Sequence, residues 1–200
     1  IETIVAYINA TGNVTIKLND YELETVPIVN GKVEYPIEGL NAGNYTVEVI
    51  YNGDETTNST SAKANFTVAK ADPVITIDVQ DIIYGDVEHI VVHVNAEGNV
   101  TVKVNGQIVE ELTLENRRAV LRASRWGPTP YNGNASLDVY NLAVGNYPVE
   151  VTFNGNQNYN VATATDDFDV LKDKTSISVE YDPSMEYGES QLINITVNNT

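Results

Sequence analysis

A fourteen-residue stretch that occurs twice constrains this chain more than any other feature. Residues 142–155 run Leu-Ala-Val-Gly-Asn-Tyr-Pro-Val-Glu-Val-Thr-Phe-Asn-Gly, and residues 40–53 run Leu-Asn-Ala-Gly-Asn-Tyr-Thr-Val-Glu-Val-Ile-Tyr-Asn-Gly, identical at 9 of 14 positions. Recurrence at this spacing means more than one copy of a folding unit. Within the later copy, Tyr147, Val149, Val151 and Phe153 share one parity while Glu150 and Thr152 take the other. That period of two makes a strand with one face buried. Tyr147 opens the strand with a hydroxyl that needs an acceptor, and the backbone just upstream supplies one in the tyrosine corner of immunoglobulin-like sandwiches. Pro148 is tolerated at a strand's start, where no ladder donor is lost. Asn154-Gly155 is expected to turn tightly into the next strand.

The rest of the chain follows the same repeat. Residues 8–19 match 94–105 at an offset of 86; from Asn30-Gly31 onward the offset is 102, so the second copy has gained about 16 residues. Tyr187-Gly-Glu near the end echoes Tyr84-Gly-Asp, which starts a third copy near Thr175. The expected domains are therefore three. Residues 1–72 form a repeat lacking its first strand, because Ile1 matches Val87. Residues 73–174 form a complete repeat with an inserted segment near 113–128. Residues 175–200 hold the first two strands of a third. Seven strands are expected in the complete repeat: 74–79, 88–95, 99–105, 108–114, 134–140, 147–153 and one within 159–170. Val92, Val102, Val104, Val149, Val151 and Phe168 are placed in its core. Short alternating strands separated by Asn-Gly turns predict an all-β chain of tandem immunoglobulin-like β-sandwich repeats. The short joints, 68–73 and 170–174, carry no Gly/Ser-rich tether and predict an elongated, fairly stiff row.

Several motifs together resemble a known family. They are Gly98-Asn-Val-Thr-Val-Lys-Val-Asn-Gly106, Leu142-Ala-Val-Gly-Asn-Tyr147, Phe153-Asn-Gly-Asn-Gln-Asn-Tyr159, a Lys-containing joint, and Tyr84-Gly-Asp86. The run is similar to the Ig-like repeats of archaeal adhesin-like surface proteins, which are related to bacterial Ig-like repeats. That resemblance implies a long, cell-anchored, extracellular stalk used for attachment or display. Its partners would be a surface glycan or protein of another cell, or neighbouring subunits of an extracellular filament. The inserted segment and Pro148 depart from the ordinary repeat.

Composition narrows the chemistry. There is no cysteine, hence no disulfide framework and no thiol nucleophile. With 11 basic against 28 acidic residues the net charge is −17, a field that repels nucleic acid and anionic membranes. No apolar run approaches the roughly 18 residues of a membrane span, so no direct membrane insertion is expected of these residues. No Ser/His/Asp set, phosphate loop or inward-facing carboxylate pair points to catalysis, and no cofactor is implied.

Four groups of side chains are candidate sites. Nine Asn-X-Ser/Thr sequons, at Asn9, Asn13, Asn44, Asn58, Asn65, Asn99, Asn134, Asn194 and Asn198, exceed the about three that composition alone would give. All lie on expected outward faces or loops, where a glycan fits. His89 and His93 share a strand face but stand about 13 Å apart, too far for one metal ion and better explained as solvent-facing. Asp166, Asp167 and Asp169, with Asp173 and Asp182 nearby, offer hard oxygen ligands for calcium, but no Asp-x-Asp-x-Asp-Gly loop accompanies them. Finally, all four arginines (Arg117, Arg118, Arg122, Arg125) and the sole tryptophan, Trp126, fall within ten residues in or beside the insertion. Guanidinium forks grip carboxylate or phosphate and an indole stacks on a sugar. A carbohydrate- or polyanion-binding surface is expected there if the chain has one. The competing expectation is a longer hairpin or one amphipathic helical turn, with Trp126 covering the sandwich edge.

Overall fold

The computed structural model describes residues 2–116 and 133–199. All the regular structure among them is β. The described residues divide into two compact units, the first formed by residues 2–73 with 154–162, the second by residues 74–116, 133–153 and 163–199.

In the first unit six strands follow in order: β1 (Glu2–Tyr7), β2 (Asn13–Leu18), β3 (Tyr21–Pro27), β4 (Lys32–Ile37), β5 (Gly43–Tyr51) and β6 (Thr60–Val68). One sheet has the order β3-β2-β5-β6, and β1 pairs with β4 in a second. Val14, Ile16, Val33 and Tyr51 form one buried cluster, and Leu18, Ile37 and Val47 another. Among the described residues β1 pairs with β4 alone. Its inward residues Ile4 and Ala6 are consequently only half-buried.

The second unit begins with β7 (Ile75–Asp78), β8 (Ile82–Ile83), β9 (Glu88–Val94), β10 (Asn99–Val104), β11 (Gln107–Thr113) and β12 (Glu115–Asn116). It continues with β13 (Gly133–Val139), β14 (Gly145–Phe153) and β15 (Ala162–Leu171). The orders are β12-β13-β9-β7 in one sheet and β11-β10-β14-β15-β8 in the other. This is the ABED and C′CFG arrangement of an immunoglobulin-like sandwich. The six residues placed in the core by parity (Val92, Val102, Val104, Val149, Val151 and Phe168) are all buried, as are Ile90, Val94 and Val100. Here Ile90 and Val92, the counterparts of Ile4 and Ala6, are fully enclosed because β7 covers the edge of β9.

The two units share fine detail. A β-bulge interrupts β2–β3 pairing between Ile16 and Lys17, and another interrupts β10–β11 pairing between Val102 and Lys103. A bulge of this kind adds local twist, and it recurs at the repeat offset. Asn105 and Gly106 take φ of 52° and 77° in the turn from β10 to β11, the left-handed pair that a two-residue hairpin requires.

Three features depart from the expected pattern. First, the opening strand is split. After Asp78 the chain leaves β9 and joins the other sheet as β8, parallel to β15 with Val170 opposite Ile82. Buried Glu88 anchors the crossing by accepting a hydrogen bond from the Gln80 N–H at 3.0 Å. Second, β12 adds a two-residue strand beside β13. Third, Asn154-Gly155 is no tight hairpin turn: only Gly155 has positive φ, and the next strand, β15, does not start until Ala162. The intervening loop belongs to the first unit instead. Ala71 N–H donates to Asn158 O and Asn160 N–H to Ala71 O, both at 2.9 Å, while Asn158 Oδ1 accepts from the Ala42 N–H at 2.8 Å.

A last hairpin, β16 (Thr175–Glu180) with β17 (Asn194–Asn199), pairs Ile177 with Val197 and Val179 with Ile195. β7 and β9 pair Ile75 with Val94 and Ile77 with Val92. The register of the opening hairpin is therefore repeated, with its apolar face exposed.

Candidate functional site

The repeated stretch builds the same corner twice. Tyr147 Oη donates to Ala143 O at 3.0 Å, and Tyr45 Oη to Asn41 O at 2.8 Å. Both rings stack on a phenylalanine of the neighbouring strand, Tyr147 on Phe168 at 5.5 Å and Tyr45 on Phe66 at 5.4 Å. The rings sit half-buried at the rim of the core. These are the tyrosine corners expected from the sequence, and their role is architectural.

Beyond the strand ends a second device recurs. Asp54 Oδ1 accepts from the N–H groups of Thr56 and Thr57, each at 2.7 Å, and from Thr56 Oγ1. Asn156, 102 residues later, accepts from the N–H groups of Asn158 and Tyr159 at 2.7 and 2.8 Å. Each side chain folds its loop as an Asx turn. The threonine and Tyr51 hydrogen bonds favour the ionised Asp54, whose pKa falls to about 2. Tyr51 is pushed up, first by burial and then by its bond to Asp54.

The outward face of β9 and β13 carries the histidines. His89 Nδ1 lies 2.6 Å from Asp138 Oδ1; His93 Nε2 lies 2.9 Å from Asp78 Oδ2, and its Nδ1 meets Asn134 Oδ1. Both rings are solvent-facing, as their parity predicts, and each has its own partner. Asp138 is held below the usual carboxylate range, first by the His89 hydrogen bond and then by that of Tyr140. An open groove of ≈ 550 Å³ runs beside them, lined by His89, His93, Thr113, Glu115, Asn134 and Ser136 among others. No group of three or more His, Cys, Asp or Glu that could hold a metal ion is present among the described residues.

The acidic run is divided by strand geometry. Asp167 and Asp169 share the outward face of β15, where Asn146 Nδ2 donates to both at 2.7 and 2.9 Å. Asp166 has the opposite parity, that of Phe168 and Val170, and its Oδ1 accepts from the Asp167 N–H. The three carboxylates proposed as calcium ligands therefore do not converge. Arg117, Arg118, Arg122, Arg125 and Trp126 lie outside the described residues.

Of the sequons, Asn9, Asn13, Asn44, Asn58, Asn65, Asn99, Asn194 and Asn198 are exposed and Asn134 is half-buried. Two pairs of their residues form an arrangement that composition did not reveal. β5 and β6 set Asn44 opposite Thr67 and Thr46 opposite Asn65. The signal was available in the numbering: 44 + 67 equals 46 + 65, the condition for cross-strand partners in one antiparallel ladder.

Residues 3–69 match the family described as "Bacterial Ig-like domain (group 3)". That segment has an Ig-like fold. It covers the first unit from β1 to the end of β6, and the strand order of the second unit repeats it. Among solved structures the chain is similar to the fibronectin(III)-like modules of Clostridium thermocellum CbhA, with 11% identity, 85% of each chain covered and a TM-score of 0.35. The sandwich assignment here stands on strand order, not on that superposition. No curated protein sequence matches the chain.

Chemically, the described faces offer asparagine amides, threonine hydroxyls and paired carboxylates on rigid strands. Such faces suit solvation, modification and contact with other polar surfaces.

Proposed function

We propose that the chain is a non-catalytic extracellular module, a length of cell-surface stalk assembled from tandem Ig-like repeats that serves attachment or display. One observation carries this reading: the strand order, β-bulge, tyrosine corner and Asx turn recur at fixed offsets in two successive repeats of the sequence. What the repeats share is structural, and among the described residues the hydrogen-bonded polar side chains, such as His89 with Asp138 and Lys103 with Glu150, pair across strands. Bacterial Ig-like domains are commonly extracellular, and a charge of −17 keeps such a surface soluble and free of nucleic acid. Attachment of source cells to a glycan-coated or cell-coated surface tests the role. Cells lacking the chain should attach less well; unchanged attachment would overturn it.

A second reading has its own support in the sequence. Four arginines and the only tryptophan within ten residues give an acidic chain one basic, aromatic segment. On this reading the complete repeat binds a carbohydrate or anionic polymer through Arg117, Arg118, Arg122, Arg125 and Trp126. Deleting residues 113–128 and comparing both proteins on a glycan array separates the two, since a plain stalk gains and loses nothing there.

A further inference from the structure

The two sequons on β5 and β6 are wired into each other. Thr67 Oγ1 donates to Asn44 Oδ1 at 2.8 Å, and Thr46 Oγ1 donates to Asn65 Oδ1 at 2.8 Å. The hydroxyl of each sequon thus holds the asparagine of the other. An amide that accepts through Oδ1 turns its Nδ2 away from the donor. Neither Nδ2 has a hydrogen-bond partner among the described residues, and both asparagines are exposed.

The second unit shows what the same backbone does without this arrangement. At the repeat offset of 102, Asn44, Thr46, Asn65 and Thr67 become Asn146, Pro148, Asp167 and Asp169. There Asn146 uses its Nδ2, donating to Asp167 and Asp169 at 2.7 and 2.9 Å. Its sequon is also gone, because Pro148 replaces the threonine. One copy consumes the amide nitrogen and the other consumes the amide oxygen.

We propose that Asn44 and Asn65 are a paired N-linked glycosylation site on one sheet face. The co-reactant is an activated glycosyl phosphate delivered by a transferase of the exporting cell. The bond between Nδ2 and the anomeric carbon forms, the bond from that carbon to the phosphate oxygen breaks, and one Nδ2 proton leaves with the phosphate. The linked amide keeps one N–H and an unaltered Oδ1, so the threonine hydrogen bond survives modification and fixes the direction of the sugar. As diagonal neighbours, Asn44 and Asn65 lie roughly 7–8 Å apart, and both sugars rise from one patch. Other sequons are differently engaged: Thr15, the hydroxyl residue of the Asn13 sequon, is buried and donates to Asn52 Oδ1 at 3.1 Å. Asn134 presents its Oδ1 to His93 while half-buried.

This inference rests on the extracellular reading, so the test supplies export itself. The full chain is secreted behind a signal sequence from a host that glycosylates Asn-X-Ser/Thr, alongside a carrier sequon of known full occupancy. Enzymatic deglycosylation in heavy-oxygen water then marks each occupied asparagine for mass spectrometry. The expected result is label at both Asn44 and Asn65, and loss of two glycan masses in the Asn44→Gln/Asn65→Gln variant with the far-UV spectrum unchanged. Label at neither residue, or at only one, while the carrier sequon is occupied would overturn the paired site. Such a failure says nothing against surface location, which this experiment does not measure.

Discussion

The same substitution made in the two copies should cost different amounts. Val151 on β14 pairs with Val102 and is fully enclosed between a five-stranded and a four-stranded sheet. Val49, its counterpart on β5, pairs with Ile16, faces a two-stranded β1–β4 sheet among the described residues, and is half-buried. Valine to alanine removes two methyl groups' worth of apolar contact, at about 0.8 kcal/mol per buried carbon. Transfer alone gives about 1.6 kcal/mol, and a cavity that the two sheets cannot close raises the upper bound to about 3 kcal/mol. Val151→Ala is therefore expected to cost about 1–3 kcal/mol, and Val49→Ala roughly half as much. Urea unfolding followed by far-UV circular dichroism measures each loss, and hydrogen exchange at β14 and β5 amides assigns it to a unit. A cost for Val151→Ala below a few tenths of a kcal/mol would show the parity to be wrong. Equal costs at both positions would show that the first unit closes its core without a strand beside β1.

Three further outcomes follow from the site geometry. Tyr147→Phe and Tyr45→Phe each remove one hydrogen bond to a backbone carbonyl and should lower stability by about 0.5–1.5 kcal/mol; unchanged unfolding midpoints would deny the corner its role. Asp54 has a folded pKa of about 2, below its ordinary value of 3.8, so its contribution is present above that value and is lost as pH falls from 4 towards 2. Asp54→Asn should abolish this acid sensitivity while keeping the loop, as Asn156 does at the repeat offset of 102; a carboxyl titration by NMR centred near 4 would contradict the assignment. Replacing Arg117, Arg118, Arg122 and Arg125 with glutamine should abolish any salt-sensitive binding of an acidic ligand, since exposed ion pairs are screened beyond about 8–10 Å, while leaving the melting temperature unchanged. Lost stability instead would give the segment a structural role.

Much of the fold was legible because its signals are local. Alternation in 99–104 and 147–153 sets which valines are enclosed, and recurrence of Tyr45 at Tyr147 marks the corner in both copies. What escaped depends on distant partners. The crossing from β7 to β8 has no alternation to read in Val79-Gln-Asp-Ile-Ile83; it is decided by a parallel pairing with β15, far along the chain, and by buried Glu88 holding the Gln80 N–H. Asn154-Gly155 looked like a hairpin turn because its two residues suit one, yet Asn156 and Asn158 recruit the following residues into a loop bound to Asn41, Ala42 and Ala71. The three aspartates looked like a ligand cluster because they are close in number, but strand parity sends Asp166 to the other face. Nine sequons were visible, whereas the pairing of two of them required the β5–β6 register.

Surface location is the claim on which the functional account stands, and labelling intact source cells with a membrane-impermeant amine reagent tests it directly. Seven lysines provide the targets. The account predicts that the chain is labelled on whole cells to the same extent as in a lysate; labelling that appears only after lysis would contradict it.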